Sequence, residues 1–105
     1  MWAVIDPSGR VTFRDDAATE KAVRQVFGGY RPLTIDVDED LGATVQISAN
    51  AVGNDANFPM TALLAGRTTG WTPMLGPVVV IGSDGQLPVD LFEQLKELQQ
   101  RHADA

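Results

Sequence analysis

The sequence has no cysteine and only one histidine among its 105 residues. The lack of cysteine excludes a disulfide framework, thiolate catalysis and a cysteine-ligated metal. The single histidine, His102, falls in a C-terminal tail that we expect to fray, where nothing holds it rigidly enough for a Ser–His pair or a metal. We therefore predict no catalytic residue, no metal and no cofactor.

Long apolar runs are also missing from the chain. The longest, Val78 to Ile81, has the length of a strand and is far too short to cross a bilayer. The first residues, from Met1 to Asp6, have no basic leader and reach an acid at once, so we expect no signal peptide. These absences predict a soluble, cytoplasmic protein that does not associate with membranes.

Basic residues are outnumbered, since 14 acidic side chains oppose 8 basic ones and the formal charge is −6. This balance opposes direct nucleic-acid binding, which needs clustered lysine and arginine. The basic residues are concentrated in the first third of the chain, which contains Arg10, Arg14, Lys21, Arg24 and Arg31. An acidic group, Asp36, Asp38, Glu39 and Asp40, follows them directly. This order is compatible with a polarised surface, and an ordinary mixed surface is the alternative.

The apolar pattern predicts strands and helices in one α+β domain at residues 1–101, with a frayed tail at 102–105. The predicted strands are a hairpin of Trp2 to Ile5 with Arg10 to Arg14, a second hairpin between residues 33 and 47, and a late extended segment, Trp71 to Ile81. The end of that segment is β-branched and should be buried on both faces of the sheet.

Three helices are predicted. The first extends from Ala17 to Phe27, with Asp15 or Asp16 as its N-cap. A short helix covers Met60 to Ala65, and the last begins at Pro88. The order of elements predicts a two-layer domain in which two main helices and one short helix cover one face of a roughly five-stranded mixed sheet.

Several segments, taken in order, carry a family resemblance. They are Val4 to Gly9, Val26 to Tyr30, Asn50, Asn57 to Leu64, and Leu75 to Gly82. In this order they resemble domain of unknown function 3846, a family of small proteins from phages and mobile elements, often of actinobacteria. The chain departs from the family at residues 51–53, where acidic residues and glycine are usual. The resemblance carries over no activity, and it implies a phage or mobile-element gene expressed inside a bacterial host.

The acidic group is the best candidate for a metal loop, but it lacks the required pattern. A calcium loop needs glycine at its sixth position and a bidentate glutamate at its twelfth. Counted from Asp36, these positions hold Leu41 and Ile47. The segment Gly82 to Gly85 likewise lacks the lysine and the glycine spacing of a nucleotide-binding loop, so it predicts a turn.

Two aromatic residues have surroundings typical of contact sites. Trp71 lies among glycine, threonine and proline, a composition seen at binding hot spots, and Tyr30 follows a Gly-Gly pair. Packing against the protein's own core is the alternative for both. If they are contact residues, the aromatic rings would anchor a partner and the acidic group would steer it. The predicted partner-binding residues are Trp71, Tyr30, Asp36, Asp38, Glu39 and Asp40.

The sequence therefore favours a non-enzymatic accessory protein of a phage or mobile element, which binds a bacterial host protein and modulates host physiology or defence. One alternative is a small-ligand-binding domain or enzyme, with a pocket beside the loop from Asn50 to Asn57. Another is an acidic mimic of nucleic acid. The sequence leaves open whether the chain is a monomer or a homodimer.

Overall fold

The computed structural model describes residues 1–50, 54–68 and 74–104, and these form one sheet with helices on both of its faces. The strands are β1 (Trp2–Ile5), β2 (Val11–Arg14), β3 (Pro32–Ile35), β4 (Ala43–Ser48) and β5 (Val78–Gly82). The helices are α1 (Glu20–Val26), α2 (Phe58–Leu63) and α3 (Val89–Ala103), and a short 3₁₀ helix covers Glu39–Leu41. The predicted α+β class is confirmed.

The sheet has the strand order β2-β1-β5-β4-β3, and every neighbouring pair is antiparallel. The prediction of a mixed sheet was wrong. After β4 ends at Ser48, the connection through α2 brings the chain back to the same end of the sheet, where Val79 pairs with Gln46. β5 therefore begins at the end of the sheet where β4 finishes, and neighbouring strands in this arrangement are antiparallel. No sequence pattern specifies the end of the sheet to which such a connection returns.

Both faces of the sheet are covered, whereas the sequence predicted helices on one face only. Val78 and Val80 of β5 pack in the core cluster that includes residues of α2 and α3. Val79, between them, packs with Trp2 and with Val23 of α1 on the opposite face. Successive side chains of a strand point to opposite faces, so a strand of consecutive valines requires apolar cover on both. All three valines are 0% exposed, which confirms the prediction of a doubly buried strand.

Helix α1 begins later than predicted, and its N-cap is Thr19. The Thr19 hydroxyl accepts a hydrogen bond from the backbone N–H of Ala22 at 3.1 Å. Asp16, a predicted N-cap, instead accepts two hydrogen bonds from the Arg14 guanidinium, at 2.9 and 2.7 Å. That guanidinium lies 4.5 Å from the ring centroid of Trp2, so Asp16 helps to hold a cation over the indole.

The last helix is longer than predicted. α3 continues through Ala103, with Asp104 as its C-cap, so residues 102 and 103 of the predicted frayed tail are helical. Arg101 and Glu97 form an ion pair along the helix at 3.3 Å, and the Gln100 side chain donates to the Asp104 carboxylate at 3.2 Å. These i,i+4 contacts support the last turn, which the small and polar residues of the tail did not indicate.

Asn57 is a polar residue in the core of the fold, where it is 0% exposed. Its side-chain amide donates to the carbonyl of Ile5 at 2.8 Å and to that of Gly76 at 2.9 Å, while its side-chain oxygen accepts from the N–H of Met60 at 3.2 Å. One side chain therefore caps α2 and ties it both to the end of β1 and to the segment that enters β5.

Candidate functional site

The predicted acidic group lies on the surface where β3 leads into the 3₁₀ helix. Asp36, Asp38, Glu39 and Asp40 are all exposed, whereas Leu41 is buried and fastens the segment to the core. Gly42 ends the turn with φ of 68°, and a Cβ atom on it would lie 2.9 Å from Pro88 Cγ. The left-handed conformation and the close approach to Pro88 together explain why this position holds glycine.

The fold brings three further carboxylates to the same end of the molecule. The carbonyl of Gly42 accepts a hydrogen bond from the N–H of Ser83 at 3.1 Å, which places the turn containing Asp84 beside the acidic group. The contact between Gly42 and Pro88 brings in the start of α3, with Asp90 and Glu93. We call this surface the acidic face, and it consists of Asp36, Asp38, Glu39, Asp40, Asp84, Asp90 and Glu93.

No ion pair neutralises the acidic face within the part of the chain that the structure describes. The ion pairs there are Arg14–Asp16, Arg24–Glu20 and Arg101–Glu97, and none involves a residue of this surface. Two cations of the described chain lie near it: Arg67, whose carbonyl accepts from the N–H of Asp38 at 2.8 Å, and the ammonium of Met1, which donates to the carbonyl of Gly85, next to Asp84, at 3.4 Å. Arg67 lines a shallow depression with Asp90 and Glu93 of α3 without coming within ion-pair distance of them.

The carboxylates of the acidic face are spread over the surface rather than gathered round one point. Among residues 1–50, 54–68 and 74–104, no group of three or more His, Asp or Glu side chains is arranged to hold a metal ion. An uncompensated and dispersed set of charges produces an extended negative potential, which suits a surface that attracts a large basic partner better than a site that coordinates an ion.

Tyr30 lies at the other end of β3 from the acidic face. Six residues separate Tyr30 from Asp36 along extended chain, which corresponds to about 20 Å. The tyrosine is 51% exposed, and Leu33 between them is 39% exposed. The structure therefore does not bring the predicted aromatic anchor and the acidic group into one compact site. Trp71, the other predicted anchor, lies outside the described residues.

Tyr30 instead lines a cleft of about 290 Å³ at the end of the sheet where β4 finishes. The other lining residues are Val26, Phe27, Gly28, Ser48, Asn50, Asn54 and Pro77. This cleft is lined by Asn50 and Asn54, two residues of the loop beside which a pocket is predicted. It does not include Asn57, whose amide is buried and already bonded.

Asn54 has a structural reason for its position beside this cleft. Its side-chain amide donates to the carbonyl of Asn50 at 3.2 Å. The same side chain lies against Gly76, where a Cβ atom would come within 2.7 Å of Asn54 Nδ2. Gly76 also has φ of 76°, so its glycine is required for both conformation and space.

Comparison with known proteins identifies no relative of this chain. No protein-family model matches it, and no curated protein or solved structure is significantly similar to it. The resemblance to domain of unknown function 3846 therefore stays a prediction, based on the residues quoted above. Among the helices described, none has both the length and the apolar character needed to cross a lipid bilayer.

Proposed function

We propose that this protein is a non-catalytic accessory protein whose acidic face binds a basic surface of another protein. The observation that carries the proposal is the collection of seven carboxylates at one end of the molecule with no ion pair among the described residues. Asp84 accepts a hydrogen bond from the N–H of Gln86 at 3.2 Å and Asp90 lies in the first turn of α3, so these two also have local structural roles. The other exposed acids have no ion-pair partner among the described residues and repel each other.

The acidic face is suited to steering a partner into contact. Complementary charge raises the rate of association and suppresses encounters with acidic proteins, and both effects weaken as salt screens the charges. Leu33 of β3 and Tyr30, which precedes that strand, are half-exposed and give apolar contact area at a distance from the acids once the partner has docked. The size of a standard interface, about 800 Å² on each partner, is sufficient to include both ends of β3.

The family resemblance supplies the biological part of the proposal. In that context, the partner is a protein of the bacterial host, binding takes place in the host cytoplasm, and its consequence is altered host physiology or defence. A basic, nucleic-acid-binding host protein has the required charge. If nucleic acid competes with this protein for such a partner, the acidic face acts as a mimic of the phosphate backbone.

The test is affinity capture from nuclease-treated actinobacterial lysate with matched charge variants. In the first variant Asp38, Glu39 and Asp40 become Asn, Gln and Asn, which removes three charges and preserves side-chain shape. In the control, three exposed carboxylates elsewhere, Asp15, Asp55 and Asp104, become Asn. Both variants have the same net charge, so a partner retained by the control and lost by the first variant supports the proposal. Equal retention by both contradicts it.

The cleft beside Tyr30 supports a second candidate function, the binding of a small ligand. Its volume of about 290 Å³ is near the lower limit of ligand pockets, and it combines aromatic walls with the amides of Asn50 and Asn54. A thermal-shift screen with nucleotides, amino acids and metals tests this function, with Tyr30→Ala as the control that removes one wall. A flat screen, or a shift that Tyr30→Ala leaves unchanged, contradicts it.

A further inference from the structure

The two edge strands of the sheet differ in the backbone groups that they offer. In the hairpin of β1 and β2, Asp6 donates its N–H to the carbonyl of Arg10 at 2.9 Å. Hydrogen-bonded pairs alternate along an antiparallel ladder, so the peptide groups of Thr12 and Arg14 also point toward β1. The N–H and C=O groups of Val11 and Phe13 must then point outward, away from the sheet.

This outer side of β2 is only partly occupied. The carbonyl of Val11 accepts a hydrogen bond from the Gln99 side chain at 3.0 Å. Across residues 1–50, 54–68 and 74–104, no strand or side chain is bonded to either group of Phe13. At the opposite edge, the ladder leaves the N–H and C=O of Thr34 pointing outward, but the other outward position, Pro32, has no N–H, and the chain bridges from Val37 to Thr68 just beyond β3. β2 therefore offers two outward N–H groups, whereas β3 offers one.

We propose that two copies of this chain pair through β2 and form a homodimer with one continuous antiparallel sheet. In a two-fold arrangement centred on Phe13, the N–H and C=O of Phe13 bond to those of Phe13 in the second copy, and Val11 faces Asp15. The Phe13 ring already lies 5.1 Å from the Phe92 ring, so the axis would join two aromatic pairs into one cluster.

Charge complementarity selects this arrangement over its neighbours. With Phe13 at the axis, Arg10 lies opposite Asp16 of the second copy, whose carboxylate already pairs with Arg14 of its own chain, and Thr12 lies opposite Arg14. If the strands slide so that the two-fold axis passes through Thr12, Arg10 lies opposite Arg14 of the second copy. If the axis passes through Arg14, the Arg14 residues of the two copies lie opposite each other. Like charges directly opposite are destabilising, so the chain is complementary to itself in one of the three arrangements.

A second copy at β2 leaves the proposed interaction surface open. β2 and β3 are the two outer strands of the sheet, so the part of the acidic face that follows β3, residues 36–40, lies on the other side of the sheet from the axis. The dimer would present two acidic faces, at opposite ends of a ten-stranded sheet, to one or two basic partners. The inference does not depend on the proposed function, and each can fail without the other.

Sedimentation velocity of the purified full chain across a wide concentration range tests the proposal. The wild type should reach twice the 11.3 kDa chain mass. Arg10→Glu places like charges opposite each other at two symmetric positions and should weaken dimerisation about tenfold. Arg31→Glu makes the same charge change at an exposed residue next to β3 and should leave the dimer intact.

A mixture of two variants makes the test specific for the pairing of Arg10 with Asp16. Arg10→Glu alone and Asp16→Arg alone each bring like charges together, whereas a heterodimer of the two restores opposite charges at both positions. We expect two weakly associating variants that form a dimer when mixed. A wild type that stays monomeric, or a dimer that Arg10→Glu does not affect, would overturn the proposal.

Discussion

Replacing Asn57 by alanine should bring the protein close to unfolding, although this residue has no role in the proposed binding. The asparagine is fully buried and makes three side-chain hydrogen bonds, to the carbonyls of Ile5 and Gly76 and from the N–H of Met60. Alanine removes all three hydrogen bonds at once, so two carbonyls and one N–H lose the bond that Asn57 gives them. It also removes the N-cap of α2.

The expected loss follows from the cost of unsatisfied buried groups. Each such group costs about 1–3 kcal/mol, and water entering the vacated space recovers part of it, so we expect a loss of about 4 kcal/mol for Asn57→Ala. The free energy of unfolding of a whole domain is about 5–15 kcal/mol. For a chain of this size, the loss corresponds to a fall in Tm of about 15–30 °C.

Urea titration followed by circular dichroism measures the loss. Asn54→Ala is the matched control, because Asn54 is exposed and the side-chain bond that it makes within the described residues, to the carbonyl of Asn50, is at the surface. This control should cost about 0.5 kcal/mol. If Asn57→Ala costs less than about 1 kcal/mol, the three bonds do not hold the sheet and α2 together, and the reasoning fails.

Two other predictions follow from single residues. Gly82→Ala should cost about 4 kcal/mol or more, because its Cβ atom would overlap the carbonyl of Gln86. Gly85→Ala has open space and only a φ of 88° to strain it, so about 1 kcal/mol is expected, and urea midpoints compare the two. The hydrogen bonds from Arg14 lower the pKa of Asp16, so their stabilisation is present above the unfolded-state pKa and is lost as pH falls through the lowered value. Asp16→Asn should therefore be less stable than wild type at neutral pH and equal to it in strong acid, as denaturation at both pH values would show.

The parts of the fold that depend on local pattern could be predicted from the sequence. Pro7 and Gly9 specify the first turn, and the consecutive valines of β5 specify a strand buried on both faces. The prediction of helices on one face of the sheet was wrong, because no local pattern specifies which face of the sheet each helix covers. Trp2 was read as one apolar residue of a short strand, whereas it lies in the separate cluster under α1.

Capping residues were harder to predict because several chemically suitable side chains stand close together. Asp15, Asp16 and Thr19 can all cap a helix, and the choice among them depends on the competing partner. The Asp16 carboxylate is taken by Arg14, and its carbonyl accepts from the Trp2 indole N–H at 2.8 Å. The burial of Asn57 had no local signal, since its partners are as far as 52 residues away.

The candidate site was predicted in part. The acidic group at residues 36–40 was visible as a run, but Asp84, Asp90 and Glu93 join it only through contacts of Gly42 with Ser83 and Pro88. The glycine was a usable signal, because a glycine that ends an acidic turn often marks close approach of another segment. The separation of Tyr30 from the acids follows from the extended chain of β3, Pro32–Ile35, which lies between them.

The structure shows which of the charged residues form ion pairs, which the order of charges along the sequence does not. The first third has the larger share of basic residues, but Arg14 and Arg24 are paired there with Asp16 and Glu20. Those pairs offset much of the local positive charge, whereas the acidic face has no such compensation among the described residues. The net charge of −6 is therefore expressed mainly at one end of the molecule. A field of this kind orients a basic partner before contact, so raising the salt concentration should slow association more than it speeds dissociation.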